Sequence, residues 1–330
     1  MAQSWIMLAS MALHAAAAPA PPSSSIALSI PVNCTIGGQC LVQKLFDHDP
    51  TAARRDYRCG VLTTDGHDGM DFRVRTMADM RAGVAVIAAA DGTVLRVRDG
   101  EPDISVKVRK DLNGRDAGNG VVIDHGNGWM TQYSHLRLGS VEVKPGQRVQ
   151  AGDRLGLIGM SGNAEFPHLH FAVRLQDKSV DPFTGPVGST DCKGKQAPAG
   201  SLWTSRAAQA LSYQPTAVIA VDLAAAVPPA SVADRSAPAR PQQRTDPIIV
   251  WADIFGSMAG DMQRFRIIGP DQQSILDQSK TLDQGHLSWF SYAGRRPPEG
   301  GWKQGRYIAT YELMRGGRII DRGRSEMVIR

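Results

Sequence analysis

The sequence predicts an all-β protein in which antiparallel sheets account for most of the chain. Short runs of β-branched residues are separated by Asp-Gly, Asn-Gly and Pro-Gly turns, a pattern typical of antiparallel strands joined by tight loops. The 34 glycines and 20 prolines leave few uninterrupted helix-forming stretches. A chain of 330 residues is longer than one typical domain, so we expect two domains and their connectors.

The first residues predict a secretory signal peptide over residues 1–22. Residues 5–18 are apolar and uncharged, and small residues and prolines follow them, which places cleavage within residues 15–20. Because no basic residue precedes the apolar run, a misassigned start and an uncleaved anchor stay open as alternatives. No second stretch is long and apolar enough to span a bilayer, so we expect no stable membrane span after cleavage.

Four cysteines follow the predicted cleavage site, and an even number in an exported chain indicates disulfides. Of the three possible pairings we favour Cys34 with Cys40, and Cys59 with Cys192. The first bridge closes a small local loop, and the second ties together the two ends of the central region. The competing interpretation is a zinc cluster, but no spacing between these cysteines is C-x-x-C.

Three further boundaries follow from changes in composition along the chain. Residues 23–60 are predicted to be an N-terminal extension, and residues 61–183, with the densest strand signals, one compact β domain. Residues 184–210 are richer in Gly, Ser, Lys and Pro and are expected to be a connector. Residues 211–330 carry strand signals at sandwich-like intervals, which predicts a C-terminal β-sandwich-like accessory domain.

The charge of the chain bears on its partners. The net charge is +5 and the basic residues are scattered, which suits either ordinary solubility or an anionic polymer such as a bacterial cell wall. No basic stripe is interleaved with stacking aromatics, so we expect no nucleic-acid partner.

Two histidine-containing stretches in the central block point to a metal site. In "FPHLHF" the imidazoles of His168 and His170 leave one face of a strand, because side chains two residues apart point the same way. In "TTDGHDGMDF" His67 and Asp71 lie four residues apart, too far in a straight strand for both to bind one ion comfortably. A bend is therefore required, and Gly69 can supply both the bend and the space for a metal.

Two histidines, one carboxylate and a water are the ligands of an open catalytic zinc site, in which the ion lowers the pKa of the water. One of the paired histidines can complete this ligand set while the other faces the same cavity without binding the metal. A neutral imidazole in that position can accept a proton, and an imidazolium can donate one to an oxyanion or a leaving amine.

The motifs of residues 61–183 resemble those of the lysostaphin/LytM-type zinc metallopeptidases, which cleave peptide bonds in peptidoglycan. The resemblance extends over about 120 residues and rests on four elements in the same order and at the same spacing. These elements are H-x-G-x-D at His67, Gly69 and Asp71, "GWMTQYSHL" ending in His135, "VKPGQRVQAGDRLGLIGMSG", and H-x-H at His168 and His170.

The resemblance implies a small antiparallel β-sheet metallopeptidase domain with a groove, one Zn²⁺ per chain and peptidoglycan peptides as the substrate. It implies that His67, Asp71 and His170 bind the zinc. It also implies that His135 and His168 are catalytic and act on the water and the developing oxyanion. With the predicted signal, it places the protein in the periplasm or cell envelope, or outside the cell.

Two other functions compete with a zinc endopeptidase. A catalytically silent LytM-like protein that binds cell wall and regulates another hydrolase would have gaps in the ligand set, and none is seen. A phosphocarrier or lipoyl-like module shares the glycine turns, but it needs a modifiable lysine or a paired-histidine phosphosite and does not use H-x-G-x-D.

The remaining polar residues of the block receive structural interpretations. His125 is assigned to a turn, and Asp68 is expected to be solvated because strand alternation points it away from His67 and Asp71. Tyr133 shares a face with His135 by alternation, so we expect it either to line the groove or to pack as a core aromatic.

Overall fold

The computed structural model describes residues 25–186, 200–229 and 239–330. The predicted signal peptide over residues 1–22 lies outside these ranges. The structure is 44% strand and 4% helix, with antiparallel sheets, which confirms the all-β prediction.

The first part of the chain forms one large antiparallel sheet, with a two-stranded sheet and a short helix beside it. Its elements are β1 (Cys40–Lys44), β2 (Met70–Val74), α1 (Met77–Ala82), β3 (Ala85–Ile87), β4 (Gly92–Arg98), β5 (Asn119–Gly126), β6 (Trp129–Leu136), β7 (Arg148–Val149), β8 (Arg154–Leu157), β9 (His168–Leu175) and β10 (Lys178–Val180). Among the described residues, the central sheet has the order β1-β2-β9-β6-β5-β4-β7, with β10 paired to β9, and β3 pairs with β8.

One face of the central sheet packs on an apolar core. Phe72, Tyr133 and Phe171 are fully buried there, on β2, β6 and β9. The Tyr133 hydroxyl accepts a hydrogen bond from the Ala89 amide at 2.8 Å, so this polar atom is satisfied inside the core. The opposite face of the same strands is left to carry polar side chains.

Segments on both sides of the central block pack on the same core. Leu28 is fully buried, and its amide donates to the Leu202 carbonyl at 2.7 Å. Strand β1 joins the edge of the central sheet through antiparallel pairing with β2. A short helix, α2 (Ser205–Ala210), follows Leu202 and buries Ala207. These parts of the predicted extension and connector are therefore built into the first core.

The last part of the chain is a sandwich of two antiparallel sheets. Its strands are β11 (Ala217–Ala224), β12 (Ile248–Ser257), β13 (Met262–Ile268), β14 (Ser274–Thr281), β15 (His286–Arg295), β16 (Gly305–Arg315) and β17 (Arg318–Ile329). One sheet has the order β11-β12-β15 and the other β14-β13-β16-β17, and a second apolar core lies between them. We call β11 to β17 the C-terminal sandwich.

The C-terminal sandwich is joined to the first part by shared packing. Ala217, Ile219 and Phe255, from β11 and β12, are buried in the first core rather than in the second. The Arg75 Nη1 donates to the carbonyls of Val218 and Ile219, at 2.8 Å each. The outer face of the β11-β12-β15 sheet therefore lies against the first part of the chain.

Cys34 and Cys40 form a disulfide, as predicted, just before and at the start of β1. The predicted partner of Cys59, Cys192, lies outside the described residues. Within the described ranges, neither helix has the length and apolar character needed to cross a membrane.

Close approach between β2 and β9 depends on Gly69, the residue before β2. A Cβ atom at this position would lie 2.5 Å from the Phe171 carbonyl oxygen and 2.9 Å from Cε1 and Nε2 of His170. Glycine is therefore required for close packing against the neighbouring strand rather than for an unusual backbone angle. The absence of a side chain at Gly69 therefore leaves room for the His170 ring.

We expect Gly69→Ala to destabilise the protein, because the new methyl group pushes against a backbone oxygen that cannot rotate away. Urea unfolding should show a loss of about 1–3 kcal/mol in the free energy of unfolding, the usual cost of overpacking. Gly38→Ala is the matched control, since its Cβ would have no neighbour nearer than 3.5 Å. Equal stability of the two variants would contradict this account of the β2–β9 contact.

Candidate metal centre and groove

The five histidine and aspartate side chains implied as a site meet on the polar face of the central sheet. His67 lies in the loop before β2, Asp71 in β2, His135 in β6, and His168 and His170 in β9. Asp71 is the direct cross-strand partner of His170, which places their side chains on one face.

Three of these side chains converge closely enough to hold one ion. His67 Nε2 and His170 Nδ1 each lie 3.1 Å from Asp71 Oδ1. One ligand atom from each of the three residues lies within 4.8 Å of the others. In a tetrahedral site two ligand atoms that are each about 2 Å from the zinc ion lie roughly 3–3.5 Å apart, which matches the two 3.1 Å distances to Asp71 Oδ1. Residues His67, Asp71 and His170 therefore fit a metal, and we call them the triad.

Each triad histidine is held by a second partner behind it. His67 Nδ1 donates to the Leu45 carbonyl at 2.7 Å, which leaves its Nε2 facing Asp71. His170 Nε2 lies 3.2 Å from Asp68 Oδ1, which leaves its Nδ1 facing the triad. Partners of this kind fix the ring orientation and the tautomer of metal-binding histidines.

The electrostatics of the triad are set by carboxylates packed among imidazoles. Burial raises the pKa of Asp71, but His168, His67 and His170 outweigh it and hold that pKa well below its ordinary value. Burial lowers the pKa of His170, yet its bonds to Asp68 and Asp71 raise it to about 9. The bond to His170 lowers the pKa of Asp68 to about 2.

His135 and His168 occupy the same space but have different partners. Nδ1 of each ring donates to a backbone carbonyl at 2.8 Å, that of Ser161 for His135 and that of Phe166 for His168. A carbonyl only accepts, so Nδ1 carries the proton and Nε2 keeps a lone pair. Burial lowers the pKa of His168 to about 4 and that of His135 well below its usual value. Both rings are therefore neutral at neutral pH.

The orientation of His135 comes from an unusual backbone angle. Its φ is +64°, a left-handed conformation that is uncommon outside glycine. This interrupts strand alternation at the end of β6, and the ring centroid of His135 lies 4.7 Å from that of His168 and 6.0 Å from that of His170. Ser134, which pairs with His170, therefore lies beside the same site.

The five side chains line a groove of about 340 Å³. Lys44 on β1 also lines it, and its Nζ lies 3.6 Å from Asp71 Oδ2. Phe166, Glu165 and Asn163 contribute to the wall on the side that leads into β9. The groove is open to solvent and has the size of a small-molecule or peptide site.

Two structural interpretations of the sequence were wrong. The expected direction of Asp68 was wrong, because the backbone before β2 is not a strand and the carboxylate reaches His170. Its side chain is still 44% exposed, in line with the expectation that it is solvated. His125 is in β5 rather than in a turn, and its ring bonds the Asp91 carbonyl and the Thr131 hydroxyl.

Of the two alternatives predicted for Tyr133, the structure shows the core aromatic. Tyr133 pairs with Phe171 and packs in the core, so it does not line the groove beside His135. Reasoning from the sequence also missed Lys44, which reaches Asp71 only because β1 pairs with β2.

Comparison with known proteins identifies the family of the central domain. The model of Peptidase family M23 matches residues 65–182. The Peptidoglycan DD-endopeptidase ShyA of Vibrio cholerae is 36% identical over 133 residues, which cover 40% of this chain and 26% of ShyA. The DD-carboxypeptidase/endopeptidase Mpg of Neisseria meningitidis is 34% identical over 113 residues, which cover 34% of this chain and 22% of Mpg.

Among solved structures, a zinc containing peptidase from Vibrio cholerae is 26% identical with a TM-score of 0.30, and the match covers 47% of this chain and 37% of that one. The matched segments span about a quarter or less of the two curated relatives. Residues 65–182 of this chain are a peptidase family M23 domain, of the lysostaphin/LytM family that the sequence motifs resemble.

Proposed function

We propose that this protein is a zinc-dependent endopeptidase that hydrolyses peptide bonds in the stem or cross-link peptides of peptidoglycan. The observation that carries the proposal is the convergence of the triad with two neutral imidazoles in one groove. Two relatives that are 34–36% identical over 113–133 residues are both named as endopeptidases, which supports the choice of reaction, and the name of one of them, ShyA, supports peptidoglycan as the substrate.

In this proposal His67 Nε2, Asp71 Oδ1 and His170 Nδ1 hold the zinc. A zinc ion bound there would polarise a peptide carbonyl and lower the pKa of water toward neutrality. Asp71 supplies the negative charge of the ligand set, while Asp68 and the Leu45 carbonyl keep the two rings turned toward the ion.

His135 and His168 move protons in this proposal. Nε2 of a neutral ring carries a lone pair. It can accept a proton from an attacking water, and the ring can then donate that proton to the leaving amine. The carbonyls of Ser161 and Phe166 hold the proton at Nδ1 and orient each ring. Since every ligand and both proton-transfer groups are present, the silent regulator is not favoured.

We further propose that the protein works in the periplasm or cell envelope, where its substrate lies. The peptidoglycan in the name of ShyA supports this placement. The Cys34–Cys40 disulfide also supports it, because disulfides persist in oxidising compartments.

Substitutions in the groove should separate metal binding from proton transfer. His67→Ala, Asp71→Ala and His170→Ala should lose zinc and activity. His135→Ala and His168→Ala should keep zinc but slow turnover by about 10²–10⁴, the usual worth of a proton-transfer group. Zinc content and turnover on a cross-linked muropeptide are measured for each variant.

His125→Ala is the control for that series, because it removes a histidine of the same sheet that lies outside the groove. It should keep both zinc and activity. The ligand assignment would be wrong if His170→Ala kept its zinc, and the proton-transfer assignment would be wrong if His135→Ala and His168→Ala turned over at the rate of the unaltered protein.

Removal of the carboxylate behind His170 should weaken the metal site without removing a ligand. We expect Asp68→Ala to lower zinc affinity by about 10–100-fold, as for other partners of metal-binding histidines. Asp68→Asn should lose less, because its amide oxygen can still accept from Nε2. Competition with a chelator of known affinity measures the effect. Asp65→Ala, at an exposed neighbouring aspartate, is the control, and equal affinities in all variants would refute this role for Asp68.

A further inference from the structure

A second cavity lies beside the metal groove, between the peptidase domain and the C-terminal sandwich. Its volume is about 290 Å³, near the lower end of the range of small-molecule sites, which is roughly 300–1,000 Å³. Residues of both parts of the chain line it, among them Gln43, Lys44, Phe166, Asp253, Ser288 and Phe290. We call this cavity the interdomain subsite.

The interdomain subsite and the metal groove share a border. Lys44, Thr64, Glu165 and Phe166 line both of them. A molecule whose reacting bond lies at the triad can therefore extend past Phe166 and into the subsite.

The far wall of the subsite is held in place by the shared core. Asp253 and Phe290 are cross-strand partners on β12 and β15, and Ser288 is paired with Phe255. Partners directly across an antiparallel pair share a face of the sheet. Phe255 is fully buried in the core of the peptidase part, so the wall is fixed against that part by packing.

One buried polar group of the subsite has unused hydrogen-bonding capacity. Gln43 is fully buried, and its Oε1 accepts a hydrogen bond from Arg73 Nη1. Its Nε2 has no partner among the described residues. A buried donor without an acceptor is costly, and an acceptor oxygen of a bound molecule would remove that cost.

We propose that the interdomain subsite binds the peptide on one side of the bond that is cut, so that the C-terminal sandwich takes part in selecting the substrate. This inference rests on the proposed function. Gln43 Nε2 donates to an oxygen of that peptide, while Phe166 and Phe290 pack on its aliphatic part.

A peptide is the occupant that the lining favours. It offers the acceptor oxygen that Gln43 lacks and apolar side chains for the two aromatic rings. A negatively charged group of the peptide can pair with Lys44, which lines both cavities. Contacts of this kind, away from the reacting bond, select among substrates and position them.

The test fills the subsite without touching the triad. Ser288 is exposed and lines the subsite, so Ser288→Trp places a bulky ring in it. Ser279→Trp is the matched control, because Ser279 is an exposed serine on β14 that lines neither cavity. Binding of a cross-linked muropeptide to the full chain is measured by calorimetry after chelator treatment, and kcat and KM are measured with zinc.

We expect Ser288→Trp to weaken muropeptide binding at least about tenfold, the loss that one good contact represents. KM should rise by a similar factor while kcat and zinc content change little, and Ser279→Trp should match the unaltered protein. Equal binding and KM for Ser288→Trp and Ser279→Trp would overturn the proposal.

Gln43→Glu tests the chemistry of the subsite with a second variant that keeps the shape of the side chain and an acceptor for Arg73. It replaces the Nε2 donor with an oxygen, so muropeptide binding should again weaken by about tenfold. Undiminished binding would overturn the role given to Gln43.

The calorimetric binding measurements test this inference separately from the proposed function. If the unaltered protein binds the muropeptide but does not cleave it, the proposed reaction is wrong and the two binding comparisons still decide the subsite. If it neither binds nor cleaves, both proposals are overturned.

Discussion

The buried carboxylate of Asp71 is the constraint around which the site is organised. Its side chain is about 2% exposed, and a charge so deeply buried is strongly unfavourable unless it is paired. His67 Nε2 and His170 Nδ1 lie 3.1 Å from it, His168 Nε2 lies at 3.5 Å and Lys44 Nζ at 3.6 Å. The partners come from β1, the loop before β2, and β9, so the order of strands at this edge of the sheet determines whether the site exists.

The four imidazoles around Asp71 differ because their other partners differ. Burial lowers the pKa of both rings, but His170 has a second carboxylate behind it, and its bonds to Asp68 and Asp71 raise its pKa to about 9. His168 has only the Phe166 carbonyl behind it, which does not offset burial, and its pKa is lowered to about 4. Ring type alone does not assign a role to either residue. The difference between the two rings comes from the fold, which places a carboxylate behind one ring and a main-chain oxygen behind the other.

The alternation of side chains along a strand predicted part of this site. The rest depends on pairing between distant segments and on irregular backbone conformations. Alternation placed the paired histidines of β9 on one face, and the need for space at Gly69 was visible in H-x-G-x-D. Asp68 was misplaced because β2 begins only at Met70, so alternation does not apply before it. The face of His135 depends on a left-handed φ that no residue type reveals, and Lys44 depends on pairing between distant segments.

The central claim is that one zinc ion in this groove makes the protein a peptidoglycan endopeptidase. The most direct measurement incubates the protein with a defined cross-linked muropeptide, with and without a chelator, and identifies the products by mass. The account predicts peptide-bond cleavage that the chelator abolishes and that added zinc restores. Binding of the muropeptide with no chelator-sensitive cleavage would contradict it and would favour a regulator that keeps the groove but not the reaction.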